Sequence, residues 1–132
     1  MDILAKLKNP FPLNQIHWVN KGKGGELAYL NSRDVMKRLD DVMGIDGWMD
    51  EITYVGQTAV CKLSLKINGE WIHKSDASGE TNFEAEKGAA ATALKRAAVK
   101  FGVGRYLYYL PKNASRNNMP KWATPAEIKG EE

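Results

Sequence analysis

In the stretch TALKRAAVKFG, from Thr92 to Gly102, two cations stand side by side in a segment otherwise built like a core helix. They are Lys95 and Arg96. On a helical wheel, Phe83, Ala90, Leu94, Ala97, Ala98 and Phe101 fall on one stripe. Lys95 and Arg96 lie on the opposite side and straddle it, outside the core. The chemistry open to such a pair is the holding of an anion, above all a phosphate. A solvated helix back carrying two solubilising charges is the plainer alternative. Three details favour a ligand. Gly88, Thr92 and Val99 on the face between the cations are small or apolar and permit close approach. Lys100 follows Arg96 round the same side. The acids of the segment, Glu84 and Glu86, are confined to the first turn, where they serve the helix dipole.

A second group of cations sits on a strand. In TAVCKLSLKI, Ala59, Cys61, Leu63, Leu65 and Ile67 alternate with Thr58, Val60, Lys62, Ser64 and Lys66. If the apolar set faces the helix, Lys62 and Lys66 face away. Asn68-Gly69 is the best two-residue hairpin turn in the chain, because both positions need positive φ. The register it sets places Trp71 opposite Lys66 and His73 opposite Ser64. Cations interleaved with aromatics suit nucleic acid. The alternative is a sheet protected by lysines, with Trp71 packing on a lysine stem. The same register points Lys74 and Asp76 toward the helix side, which a slipped register or a subunit contact would explain. The loop NKGKGG adds Lys21, Lys23 and flexible backbone amides. It lacks the Gly-x4-Gly-Lys-Ser/Thr of a phosphate-binding loop, so no ATP site follows. His17 and His73 have no metal-ligand spacing with Cys61, and the acids are scattered. The residues give no catalytic constellation and no cofactor or metal site, so a non-enzymatic role is expected.

These residues need a scaffold, and 132 residues are enough for one domain with a real core. A net charge of +3 permits a polyanionic partner without demanding one. One cysteine excludes an internal disulfide and fits a reducing compartment. No apolar run approaches the length of a membrane span, and the N-terminus lacks the apolar segment of a signal peptide, so a cytoplasmic protein is expected. Residues 1–9 read as a short amphipathic helix with Ile3, Leu4 and Leu7 on one side, ended by Pro10 and Pro12. Two short extended pieces flank the Gly-Lys loop. Asn31 or Ser32 caps a helix with a Val35, Leu39 and Val42 stripe, stopped by Gly44. Strands follow at 48–55, 58–67 and from Glu70. Thr81 and Glu84 then form a capping-box pattern opening a helix over 82–101. The fold class is α+β: a three-stranded antiparallel sheet, plus short N-terminal strands, with a long helix packed on one face. The domain is expected to span 1–110, with a flexible polar tail over 111–132.

YLNSRDVMKRLDDVMGIDGW (29–48), a hairpin, and EAEKGAAATALKRAAVKFGVGRYLY (84–108) resemble the core of the Rad52 family of single-strand annealing proteins. Its marks here are the Gly44-Ile45-Asp46-Gly47-Trp48 close and the Leu-Lys-Arg-Ala…Phe-Gly helix end over 94–102. The resemblance covers roughly residues 16–110, and the short chain is similar to bacteriophage-type members, which would place it in a host cytoplasm. It implies a β-β-β-α core assembled into closed rings, with single-stranded DNA in a basic groove, backbone inward and bases outward. It implies ATP-independent annealing in homologous recombination and repair, and a single-strand-binding protein or a recombinase as a protein partner. The family's helix cations fall on Lys95 and Arg96 and its groove tyrosine on Tyr29. An arginine before that tyrosine has Lys21 or Lys23 as its nearest match. A further family arginine is Val99 here, for which neighbouring Lys100 could substitute. A double-stranded-RNA-binding-like module, acting as a monomer, shares the helix, three strands, helix order. That module carries its lysines at the helix N-terminus, where this chain has Glu84 and Glu86. A protein-interaction scaffold is the third reading.

Overall fold

The computed structural model describes residues 2–20, 22, 25–79 and 88–125. Helix α1 (Ile3–Lys8) is opened by Asp2, whose carboxylate accepts the Ala5 N–H at 2.7 Å. Its apolar face is narrower than the sequence implies. Leu7 is wholly buried and Ile3 packs on the core, but Leu4 is 58% exposed. Strands β1 (His17–Asn20) and β2 (Glu26–Tyr29) pair as an antiparallel hairpin, with His17 opposite Tyr29. Helix α2 (Ser32–Met43) begins at the expected Asn31, which forms a capping box with Asp34. Its Val35 and Leu39 are buried.

The Gly44-x-x-Gly47-Trp48 close has a steric and a polar cause. Gly44 takes φ +80° and ends α2. A side chain on Gly47 would place its first carbon 2.1 Å from the Met43 carbonyl oxygen, so only glycine fits there. The Trp48 indole N–H then donates to Asp40 at 2.7 Å, tying the new strand back to the helix.

Strands β3 (Trp48–Val55), β4 (Thr58–Ile67) and β5 (Glu70–Ala77) form an antiparallel sheet in the order β3-β4-β5. Asn68 (φ +53°) and Gly69 (φ +81°) make the turn, and the register is the expected one: Lys66 faces Trp71 and Ser64 faces His73. Ala59, Cys61, Leu63 and Leu65 are all fully buried under helix α3 (Ala89–Val99). Burying each large apolar side chain of this layer contributes roughly 1.5–3 kcal/mol. Ala93, Ala97 and Ala98 bring α3 close to the sheet, with Leu94 and Phe101 completing the stripe. The proposed capping residues Thr81 and Glu84, and Phe83, lie outside the described residues. At the other end, Gly102 (φ +100°) lets its own N–H reach Val99 O and the Val103 N–H reach Ala98 O, a Schellman close.

Two features were not anticipated. Arg38 of α2 donates to the carbonyls of Lys6, Leu7 and Asn9 at 3.1, 3.1 and 2.6 Å and lies 3.9 Å from the centre of the Phe11 ring. It thereby caps the C-terminus of α1 and clamps it to α2. And the segment after Pro111, expected as a tail, carries a short 3₁₀ turn at Lys121–Ala123 and buries Ala114 and Ala123. Residues 126–132 lie outside the described residues.

Candidate nucleic-acid interface

Lys74 and Asp76, which the register turns toward the helix side, are received there by the end of α3. The Lys74 ammonium donates to Lys100 O at 3.2 Å and stands 5.3 Å from the Phe101 ring centre. Asp76 pairs loosely with Arg96, Nε to Oδ1 at 3.7 Å. The register is therefore not slipped, and a polar rim along α3 takes both charges.

The helix wheel placed Lys95 outside the core, and in one respect this needs correction. Lys95 is only 8% exposed. The wheel shows only the side turned away from the sheet, whereas β1 and β2 fold over that side. The Lys95 ammonium donates to Leu30 O, at the exit of β2, at 3.1 Å. It also stands 5.8 Å from the centre of the Tyr29 ring, a cation–π distance. Tyr29 in turn faces His17 across the hairpin, ring centres 5.4 Å apart. His17 Nε2 lies 3.1 Å from the Asn31 amide and 3.6 Å from Asp34. One polar chain thus runs from the α2 cap through His17 and Tyr29 to Lys95. It holds the hairpin against α3 and gives His17 a structural place.

Between the hairpin and α3 lies a cleft of about 510 Å³. Tyr29 from β2, Lys95, Arg96 and Val99 from α3, and Tyr108 line it. Arg96 is half exposed, so Lys95 forms part of the floor and Arg96 reaches the opening. Val99, where the resembled family has an arginine, makes one side apolar. Glu26 also lines the cleft, but Arg116 lies 3.9 Å from its carboxylate.

The structure brings together Lys95, Arg96 and Tyr29 from the residues singled out in the sequence. It does not bring Lys100, Lys62 or Lys66 there. The Lys100 side chain folds to Ser75 O, and its backbone carbonyl accepts from Lys74 and Arg105, so it does not stand in for the missing arginine. Lys62 and Lys66 are exposed on the sheet face turned away from α3, beside Glu51 and Trp71 respectively. On that face His73 Nδ1 lies 2.6 Å from Ser64 Oγ. Lys21 and Lys23 lie outside the described residues. Tyr108 was missed. Its signal is the run Tyr-Leu-Tyr-Tyr over 106–109, past the Gly102–Gly104 close of α3, with no periodicity to say which ring faces the cleft.

Burial pushes the Cys61 thiol up to about 11, with Asp50 adding to the shift. At neutral pH it is a protonated, inert core group. Among the described residues, no group of three or more His, Cys, Asp or Glu side chains is placed to hold a metal ion. No described helix is long and apolar enough to cross a membrane.

A family model described as Rad52/22 family double-strand break repair protein matches residues 1–124. Two curated relatives are each named single-stranded DNA-binding protein DdrA. That of Deinococcus deserti is 32% identical, over 94% of this chain and 71% of its own. That of Deinococcus radiodurans is 33% identical, over 94% of this chain and 68% of its own.

Proposed function

The chain belongs to the Rad52/22 family of double-strand break repair proteins, and on that premise we propose that it binds single-stranded DNA and anneals complementary strands without nucleotide hydrolysis, as an oligomeric ring. The observation that carries this reading is the convergence of Lys95, Arg96 and Tyr29 on one cleft, from elements far apart in sequence. The names of the two relatives support the choice of single-stranded DNA as the ligand.

The mechanism is geometric. Phosphates of one strand sit against Arg96 and the Lys95 ammonium, and Tyr29 braces the floor. Lys95 is already immobilised by Leu30 O, so little side-chain freedom is lost when a phosphate arrives. Neutralised phosphates let two like-charged strands approach. Bases left at the opening can then sample pairing with a complement, and no covalent step is needed. Lys21 and Lys23, in the segment joining the hairpin strands, supply further charge. Lys100, Lys62 and Lys66 contribute to the general positive field. One subunit offers few cations, so its own affinity is modest, and repetition round an assembly supplies avidity. In this reading residues 1–110 carry assembly and most of the DNA groove, with Pro111, Lys112 and Ala114 closing part of its lining, and a single-strand-binding protein or a recombinase is the expected protein partner.

The test follows annealing of fluorescent complementary oligonucleotides in the absence of nucleotide, with native mass spectrometry of the same samples. The wild type anneals as an oligomer. Lys95→Ala with Arg96→Ala loses annealing, and Arg96→Glu alone, at a half-exposed position that leaves the fold intact, does the same. A double variant that assembles and anneals like wild type sinks the site. A monomer that prefers duplex RNA sinks the function.

A further inference from the structure

Tyr108 lines the cleft, yet 68% of its surface meets water. It belongs to a 3₁₀ turn, Arg105–Tyr109, in which Arg105, Tyr106 and Leu107 are held by the rest of the fold. Tyr106 is half-buried and its hydroxyl accepts the Phe11 N–H at 2.9 Å. Arg105 donates from Nε to Val99 O at 3.0 Å and from Nη2 to Lys100 O at 2.8 Å, locking the turn onto the end of α3. Gly104, just before it, is buried against Leu30. The ring of Tyr108 is therefore held out on a rigid support at the rim of the cleft. Lys95 and Arg96 line the same cleft. An exposed ring and two cations on one cleft match the two ends of a nucleotide, base and phosphate.

We infer that Tyr108 is a stacking platform for a base of the strand held in the cleft. This rests on the reading of the cleft as a single-stranded DNA groove. Stacking occupies the flat face of a base and tolerates any sequence. It leaves the pairing edges free, which annealing requires. Each platform would keep one base turned outward and restrain its rotation, so that a complementary strand meets ordered edges rather than a disordered coil. The neighbouring Tyr109 is as exposed, at 71%, but does not line the cleft, and so serves as an internal control.

The experiment measures binding of the full chain by fluorescence anisotropy. One labelled oligonucleotide carries a mixed sequence, and a second of equal length carries abasic sites. Both are titrated over a range of salt. Tyr108→Ala weakens binding of the mixed sequence by about ten-fold, with no change in the salt slope, because the same phosphates stay neutralised. Tyr108→Phe binds like wild type, and so does Tyr109→Ala. On the abasic strand, wild type and Tyr108→Ala bind equally. Equal binding of the mixed sequence by wild type and Tyr108→Ala overturns the inference, as does an equal loss on the abasic strand, which would place Tyr108 against the backbone. The underlying reading fails separately: the Lys95, Arg96 double variant then binds the mixed sequence as tightly as wild type, with the same salt slope.

Discussion

Two faces of this molecule carry lysines, and they differ in what holds those lysines. On the open face of the sheet, Lys62 and Lys66 project into solvent, Lys62 directly across from Glu51. In the cleft, Lys95 is buried and tied to Leu30 O, and Arg96 is restrained beside Asp76. A surface ammonium is fully hydrated and loses rotamer freedom when it binds, so each such interaction contributes little. A cation already desolvated and aimed has met those costs during folding. Composition alone would rank the two faces equal, whereas the packing around each ammonium ranks them far apart.

The largest expected difference is in DNA affinity. Replacing Lys95 and Arg96 by Ala removes two charge-assisted interactions and should weaken single-strand binding about a hundred-fold, ~3 kcal/mol. It should also lower the log–log salt slope by about 1.4, roughly 0.7 for each phosphate that is no longer neutralised. Replacing Lys62 and Lys66 should weaken binding no more than about three-fold. Anisotropy titrations of the two double variants side by side decide it, and equal losses would mean that the outer face carries the strand as well.

The sheet itself offers a sharper contrast, because Cys61 and Lys62 are neighbours that point to opposite faces. Cys61 is fully buried, and its thiol is raised from an ordinary 9.0 to about 11. The folded value lies above the unfolded one, so the associated stability is complete below pH 9. It is lost progressively as pH rises toward 11, by ~2–3 kcal/mol. Chemical unfolding at pH 8, 9.5 and 11 should show the decline, and Cys61→Ser should flatten it. Folded protein at pH 8 should resist thiol alkylation.

A further difference concerns stability in the absence of DNA. Lys95→Met keeps the packing volume but leaves Leu30 O short of a buried donor, which costs ~1–2 kcal/mol. Lys62→Met at a solvated position should stay within ~0.5 kcal/mol of wild type. Urea unfolding of both variants measures the gap. A neutral Lys95→Met would mean that the ammonium serves the ligand alone and that the hairpin is held by other interactions.

How much of this was legible in the sequence depends on the range of the interaction. The sheet was: alternation from Ala59 to Ile67 and the Asn68-Gly69 turn are local signals, and they fixed the partners of Lys66 and Ser64. The cap at Asn31 and the stop at Gly44 were readable for the same reason. The burial of Lys95 was not, because its partner Leu30 lies 65 positions earlier, and a wheel drawn from one helix contains no hairpin folded over it. The Arg38 clamp was hidden likewise: three carbonyls around the end of α1 leave no trace in residue types. Leu4 shows the opposite error, an apolar residue at the right spacing that nothing covers. Of the candidate site, the residue types were therefore readable, while their division between the two faces came only with the fold.

The smallest expected effect tests whether the two faces are distinct at all. Asp76 touches Arg96 at 3.7 Å, an ion pair open enough to water to be worth ~0–1 kcal/mol. Asp76 also accepts the Ala77 N–H at 2.7 Å, a bond that an asparagine oxygen can keep. Asp76→Asn should therefore leave the fold intact and release Arg96 from its only ion pair among the described residues, tightening single-strand binding two- to three-fold. Glu51→Gln makes the same change in net charge on the outer face, opposite Lys62, and should leave binding within experimental error. Equal tightening by both would show that the strand responds to the summed field of the molecule, and the cleft would lose its special standing. Tightening by Asp76→Asn alone locates the phosphate beside Arg96. Weaker binding after Asp76→Asn would mean that the carboxylate aims the guanidinium, and the ion pair would then count as part of the groove rather than as a competitor of the DNA.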